Sequence, residues 1–315
     1  MNRTIQRLTP ETASRIAAGE VIERPLSALK EILENALDAG SRSIEVRVER
    51  SLDQRFQVAD DGVGIPASDL ELALERHATS KITSLEDLDR LQSLGFRGEA
   101  LPSIAAVSRF RITSRTRAAD HAATIAVEAG AVLERGRTAR APGTTVEVAD
   151  LFFNTPARRK FLGSPTGELR AAIRMLECYA LAYPDVSLRL LVDGRERFDW
   201  PAAAPALSLA AARGGSGENP SSESAPSFAD ADARRARAGA LWGTRHAEQL
   251  IEVASERDGV RLEGLLGLPE HARATREGQI FLINRRWVQS PMIGQALRQA
   301  YGNLLPAGRF PACTL

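Results

Sequence analysis

Cysteine is nearly absent: Cys178 and Cys313 are the only two in 315 residues. A pair so placed gives neither a disulfide framework nor a metal-ligand spacing. Histidine is almost as scarce. His77, His121, His246 and His271 are scattered, and His77 beside Thr79 and Ser80 has no second ligand at a matching interval, so no histidine metal centre is expected. Lysine occurs three times, at Lys30, Lys81 and Lys160, and 41 minus 3 leaves 38 arginines. That bias is attributed to genome composition, but each of the three lysines falls inside a motif. Neither charge is in excess. With a net charge of +1, the whole chain implies no polyanionic partner, and a nucleic-acid surface would have to be a local patch. There is no apolar run long enough to span a bilayer and no signal-peptide pattern, so a soluble cytoplasmic protein is expected. No GxxxxGK[ST] loop occurs, which excludes a Walker A phosphate loop.

What is present is organised around Lys30-Glu31-Ile32-Leu33-Glu34-Asn35-Ala36-Leu37-Asp38-Ala39-Gly40. Leu29, Ile32, Leu33, Ala36 and Leu37 recur at helical spacing, and Glu31, Glu34, Asn35 and Asp38 fall opposite. Gly40 stands where a helix stops. A short helix is also expected from Pro10 to about Ala18, with Thr9 as its cap. After Gly40 the period becomes two: Ile44, Val46 and Val48 alternate with Glu45, Arg47 and Glu49, and a second strand runs from Phe56 to Ala59. Short helices are predicted at 68–76, capped by Ser68, between the loops at 78–82 and 95–101, and at 101–106. Strands follow at 109–115, 122–128 and 143–149, then a long amphipathic helix from Gly167 to Tyr183 and a strand from Ser187 to Val192. The order predicts an α+β sandwich, one mixed sheet with helices on one face.

Residues 213–238 are polar, with Phe228 the one large apolar side chain, and read as a disordered linker or insertion. Beyond them, strands at 260–267 and 279–284 and a helix from Pro291 to Tyr301 predict a smaller α/β domain. The chain stops at Phe310–Leu315, inside an expected strand, as a fragment of a longer protein would. The expected division is 1–205, a linker at 206–238, and 239–315.

Three motifs carry chemistry. Asp60-Asp61-Gly62-Val63-Gly64 closes a strand; a buried carboxylate there can accept a hydrogen bond from an amino group on a base, and glycines admit a flat ring. Gly95-Phe96-Arg97-Gly98-Glu99-Ala100-Leu101 runs into a helix start, where inward N–H groups suit a polyphosphate. The polar face of the central helix adds a carboxamide oxygen, Asn35, suited to Mg²⁺, and a carboxylate one turn earlier suited to deprotonating water. Spacing alone does not choose between Glu31 and Glu34, and gives Asp38 no task.

In this order the motifs resemble those of the Bergerat-fold (GHKL) ATPases, and within that superfamily the N-terminal ATPase region of the MutL family. The resemblance is carried by Arg15–Pro25, by Lys30-Glu31 with Glu34-Asn35, by Arg76–Ile82, by Gly95–Leu101, and by Asp150–Phe161, a stretch not expected in gyrase, Hsp90 or kinases. It implies a Bergerat-type ATPase sandwich followed by a ribosomal-protein-S5-like domain, acting as a transducer. It implies Glu31 as general base and Asn35 as ligand to Mg²⁺. Asp60 would read adenine, with Gly62 and Gly64 shaping the pocket and Thr145 supporting it. Ser80 and Lys81 would form the lid over the triphosphate with Gly95, Phe96, Arg97, Gly98, Glu99, Ala100 and Leu101, and Thr79 would join them in binding ATP. The family places a lysine in the loop corresponding to Leu304–Arg309; here Ala307 takes that place.

The resemblance further implies a slow ATPase switch in DNA mismatch repair. It would close as a homodimer on ATP, work with the mismatch-recognition protein MutS, contact DNA without sequence preference, and act in the cytoplasm at the nucleoid. Candidate DNA contacts are Arg158, Arg159 and Lys160, and Arg261, Arg273, Arg276, Arg285 and Arg286. The competing expectations are an ATP-responsive DNA-binding scaffold with negligible turnover and a type II topoisomerase ATPase subunit.

Overall fold

A computed structural model describes residues 18–19, 21–82, 93–95, 98–203 and 231–315. They form two compact units. One runs to Met175 and takes in Leu188–Asp199; the other comprises Leu176–Ser187 and Trp200–Leu315.

The first unit is built on an eight-stranded sheet. Its strands are β1 (Ser43–Glu49), β2 (Arg55–Asp60), β3 (Arg109–Arg115), β4 (Ala122–Glu128), β5 (Ala131–Thr138), β6 (Gly143–Ala149), β7 (Ser187–Val192) and β8 (Arg195–Trp200), in the order β5-β4-β3-β6-β2-β1-β7-β8. Pairing is antiparallel from β5 through to β1. Strict alternation gives the sheet two unlike faces. Register puts Val46 opposite Val58, Val58 opposite Val146, and Ile112 opposite Val146 on one face, and all four side chains are buried. The other face is an open lattice of ion pairs: Arg55 to Glu147 at 3.0 Å, Arg109 to Glu128 at 3.0 Å, and Arg111 to Glu134 at 3.2 Å.

Helix α1 (Pro25–Asp38) covers the apolar face, against β2 and helix α2 (Ala100–Ala106). Ala28, Leu29, Ile32, Leu33 and Ala36 are its buried stripe, and each of the three large side chains contributes about 1.5–3 kcal/mol through burial. The residue before it, Arg24, offers no side-chain cap. The free N–H of Leu26 instead donates to Glu168 Oε2 at 3.4 Å, and Arg24 pairs with the same buried carboxylate at 2.8 Å. An anion at a helix N-terminus satisfies both the orphan donors and the dipole. Glu168 belongs to α4 (Pro165–Ala182), which follows the one-turn helix α3 (Pro156–Arg159).

The second unit holds α5 (Ala231–Trp242), α6 (Thr244–Glu248), β9 (Leu250–Arg257), β10 (Val260–Gly267), β11 (Gln279–Ile283), β12 (Arg286–Val288), α7 (Pro291–Tyr301) and β13 (Cys313–Thr314). Its sheet runs β12-β11-β13-β10-β9, and only the β11–β13 pair is parallel. Cys178, Leu181, Ala238, Ala247, Leu250, Leu265 and Ile280 form its core. Both cysteines are free thiols in buried positions. Among the described residues no helix is long and apolar enough to cross a membrane.

Several expectations change. Residues 68–76 form turns with one 3-10 turn, Leu72–Leu74, instead of an α-helix, because no residue of that turn is buried and Leu72 faces outward. The expected linker lies outside the described residues up to Asp230, but from Ala231 the chain is helical. Alanine and arginine are strong helix formers, which the polar composition hides. Arg237 within it is 2 % exposed and donates to the carbonyls of Pro184, Val186 and Trp200. The helices expected at 10–18 (Ala18 apart) and between Ile82 and Gly95 lie outside the described residues.

Candidate functional site

The polar side of α1 is not one surface. Glu34 is 2 % exposed and pairs with Lys30 Nζ at 2.8 Å, so it does not lie on an open polar face. Glu31 is half-buried, as are Asn35 and Asp38 one and two turns later. Asp38 is the most engaged. Its Oδ1 accepts the N–H of Leu94 at 2.8 Å, and its Oδ2 accepts the N–H of Gly95 at 3.1 Å and the ammonium of Lys81. Lys81 Nζ also donates to Asn35 Oδ1 at 2.8 Å. These bonds bring Lys81 and Gly95 onto α1, although 43 and 57 residues separate them from Asp38.

The two predicted lid stretches meet each other as well. Gly98 has φ +61°, and a Cβ there would meet the carbonyl of Ala78 at 2.4 Å, so this crossing requires glycine. His77 Nδ1 stands 3.4 Å from Glu99 Oε1, and Thr79 Oγ1 accepts the N–H of Lys81 at 3.2 Å. Ser80 is exposed, and Ala100 and Leu101 open α2. Phe96 and Arg97 lie outside the described residues.

Asp60 stands at the end of β2 on the sheet's apolar face. Its Oδ1 accepts the N–H of Gly62 at 2.9 Å and of Thr144 at 3.2 Å. Burial pushes its pKa up, and these two bonds and the Arg140 guanidinium only partly offset that. Asp61 is spent on structure, accepting the N–H groups of Arg42 and Ser43 at 2.8 and 2.9 Å. Gly64 has φ +73°, and a Cβ would meet the carbonyl of Arg115 at 2.2 Å.

Thr145 is not brought to Asp60. It pairs with Ala59, so its side chain points to the opposite face, where its Oγ1 accepts from Arg140 Nε at 2.9 Å. Thr144 is the residue beside Asp60, and its hydroxyl lies 2.8 Å from that of Ser114. Strand parity could have found it: Thr144 is an even number of residues from Val146 and Val148, which share the buried face. Arg140 was also missed. It donates to the carbonyl of Asp60 at 2.7 Å, and its pKa is drawn down by burial.

The basic candidates are mostly engaged. Arg158 donates to the carbonyl of Ile22 at 2.9 Å, which makes it an anchor for the segment before α1. Arg273, Arg276 and Arg285 lie over the rings of Trp242, Phe310 and Tyr183 at 5.9, 5.0 and 5.3 Å, and Arg261 pairs with Glu263. Arg159 and Lys160 are exposed.

Known proteins resemble this chain over both units. A MutL of Azorhizobium caulinodans is 44 % identical over 312 residues, covering 99 % of this chain and 46 % of its own length; a MutL of Acidiphilium cryptum is 45 % identical over 314 residues, covering 99 % and 48 %. The chain is similar to MutL proteins over 99 % of its length. It spans about half the length of the curated relatives it matches. A family profile described as histidine kinase-, DNA gyrase B- and HSP90-like ATPase matches residues 23–147, and one described as DNA mismatch repair protein, C-terminal domain, matches 238–315. Among solved structures, the Aquifex aeolicus MutL ATPase domain complexed with ADP aligns with a TM-score of 0.65 at 26 % identity, covering 93 % of this chain and 92 % of that one. The α+β sandwich followed by an α/β unit is thus the MutL ATPase-region fold.

Proposed function

We propose that this chain binds ATP with Mg²⁺ and hydrolyses it slowly, as a switch in DNA mismatch repair. The observation that carries the proposal is the convergence on α1: Asn35 and Asp38 face Lys81, Leu94 and Gly95 in the same unit that holds a buried, backbone-braced Asp60. The ADP complex of the Aquifex relative supports a nucleotide in this fold.

Asp60 is poised to accept a hydrogen bond from the amino group of adenine. Its Oδ1 is fixed by two N–H groups, so the carboxylate is oriented before any ligand arrives. Thr144, rather than Thr145, stands beside it as the supporting residue. At the phosphate end, Asn35 would hold Mg²⁺. The donor chemistry fits, since a carboxamide oxygen is a hard ligand and an ammonium already stands 2.8 Å from it. When bound, the ion would neutralise charge on the phosphates. Glu31 would take the proton of the attacking water. Glu34, the alternative left open by spacing, is buried and paired with Lys30, which favours Glu31. Thr79, Ser80, Lys81 and 95–101 would cover the triphosphate.

Residues 1–205 would then be the nucleotide-binding region and 239–315 the transducer. Homodimerisation on ATP, coupling to MutS and sequence-independent DNA contact would complete the switch. Arg159 and Lys160 are better placed for DNA than Arg158. Glu31→Ala tests the proposal: nucleotide binding should survive while phosphate release is lost. Retained turnover would place the base elsewhere.

A further inference from the structure

We infer that Lys81 and a divalent metal are alternative occupants of the same place on α1, so that metal entry requires the Lys81 ammonium to leave Asn35. The inference rests on the reading that Asn35 is the metal ligand.

The place is small and already neutralised. Lys81 Nζ lies 2.8 Å from Asn35 Oδ1 and pairs with Asp38 Oδ2. Asp38 and Lys81 have side chains only 9 % and 21 % exposed, so their attraction is screened less than that of a surface pair. Backbone closes the other side. A Cβ on Gly95 would lie 3.2 Å from Lys81 Nζ, 3.7 Å from Asn35 Oδ1 and 3.9 Å from Asp38 Oδ2. A magnesium ion sits about 2.0–2.1 Å from its oxygen ligands and keeps several waters. Asn35 Oδ1 has two lone pairs, but an ammonium on one would stand beside a dication on the other, and in this partly buried place the two like charges repel strongly.

Exchange of the two cations would put two positive charges on the α1 face where one stands now and release one positive side chain. Asp38 would keep its bonds from Leu94 and Gly95 at 2.8 and 3.1 Å, so the 93–95 segment would stay on α1 while residue 81 moves. Asp38 and Lys81 thereby act as positioning residues, which accounts for the one acidic residue of α1 that spacing left without a task.

The test uses nucleotide-free protein with Mn²⁺ alone, followed by electron paramagnetic resonance. Lys81→Met should bind Mn²⁺ at least about tenfold more tightly than wild type, within the range of ordinary coupling energies. Lys81→Gln should do the same, which guards against a folding defect in one variant. Adding Asn35→Ala to Lys81→Met should abolish the gain. Affinity equal to wild type in both Lys81 variants, or a gain that survives Asn35→Ala, would overturn the inference. Calorimetry of ADP with and without Mg²⁺ separates the two layers. If Asn35→Ala removes the Mg²⁺-dependent part of ADP binding in an otherwise wild-type chain, the metal reading stands whatever Lys81 does. If that part is unchanged, the metal reading fails first.

Discussion

Asp60 and Asp38 are carboxylates of the same unit, held by opposite means. Asp60 is fixed by backbone N–H groups from its own turn and from β6, partners that belong to the sheet and cannot leave. Asp38 is fixed by the N–H groups of two loop residues and by the ammonium of Lys81, a side-chain partner on rotatable bonds. Backbone donors bring partial charges and cost the carboxylate part of its solvation, so burial still pushes the pKa of Asp60 up. A full cation cancels the charge of Asp38 outright. On the proposed assignment, the difference would suit a rigid adenine end at Asp60 and a phosphate end at Asn35 and Asp38 where ions exchange.

The largest effect should come from the group assigned to the reaction itself. Glu31→Ala should lower phosphate release by about 10²–10⁴-fold, the usual worth of a general base, with ADP affinity changed little. If affinity fell in parallel, Glu31 would belong to the binding apparatus and the contrast between the two ends would blur.

Asp60→Asn should weaken ADP binding by about 10–100-fold, the cost of losing a hydrogen bond to a charged group. The same variant should raise the thermal midpoint at neutral pH. A carboxyl whose folded pKa lies above its unfolded value contributes most below the unfolded value, 3.8, and loses that contribution as pH rises through the folded one. Asparagine keeps the acceptor oxygen and carries no charge, so its advantage should shrink as pH falls towards 4. A stability gain independent of pH would mean that charge burial is not its cause.

Thr144→Val should weaken ADP binding about 2–10-fold through loss of a neutral hydrogen bond beside Asp60, and Thr145→Val should not. The opposite ranking would return Thr145 to the site. The smallest effect belongs to the open face of the sheet. Arg55→Ala should change stability by less than about 1 kcal/mol in chemical denaturation, since its partners Glu49 and Glu147 are solvent-accessible. A larger loss would show that this lattice acts as a network.

The strands that periodicity identified and the ones it missed divide along one line. Found were β1, β2, β3, β4, β6, β7, β10, β11 and the end of the chain at β13. Missed were β5, β8, β9 and β12, which are the four sheet edges. An inner strand has a neighbour on each side and an apolar face on the core, so alternation is imposed on it. The edge strands β5 and β8 contain no buried residue, and Arg195-Glu196-Arg197-Phe198-Asp199-Trp200 has no period to read. The site shows the same limit. Asn35, Asp60 and Lys81 were legible as residue types in motifs. Thr145, expected to support the pocket, lies one position from the threonine that meets Asp60, and a one-residue step along a strand crosses the sheet.

By itself the sequence determined the apolar stripe of α1, the inner strands, the strand-end Asp60 and the motif order that marks the MutL family. Those follow from local periodicity and residue chemistry, which act within a few residues. Only the tertiary structure decided that Glu34 is buried and paired with Lys30, that Thr144 rather than Thr145 meets Asp60, and that Lys81 stands on Asn35 and Asp38. Strand parity and contacts across more than 40 residues set the last two, and burial set the first; local spacing does not encode any of them.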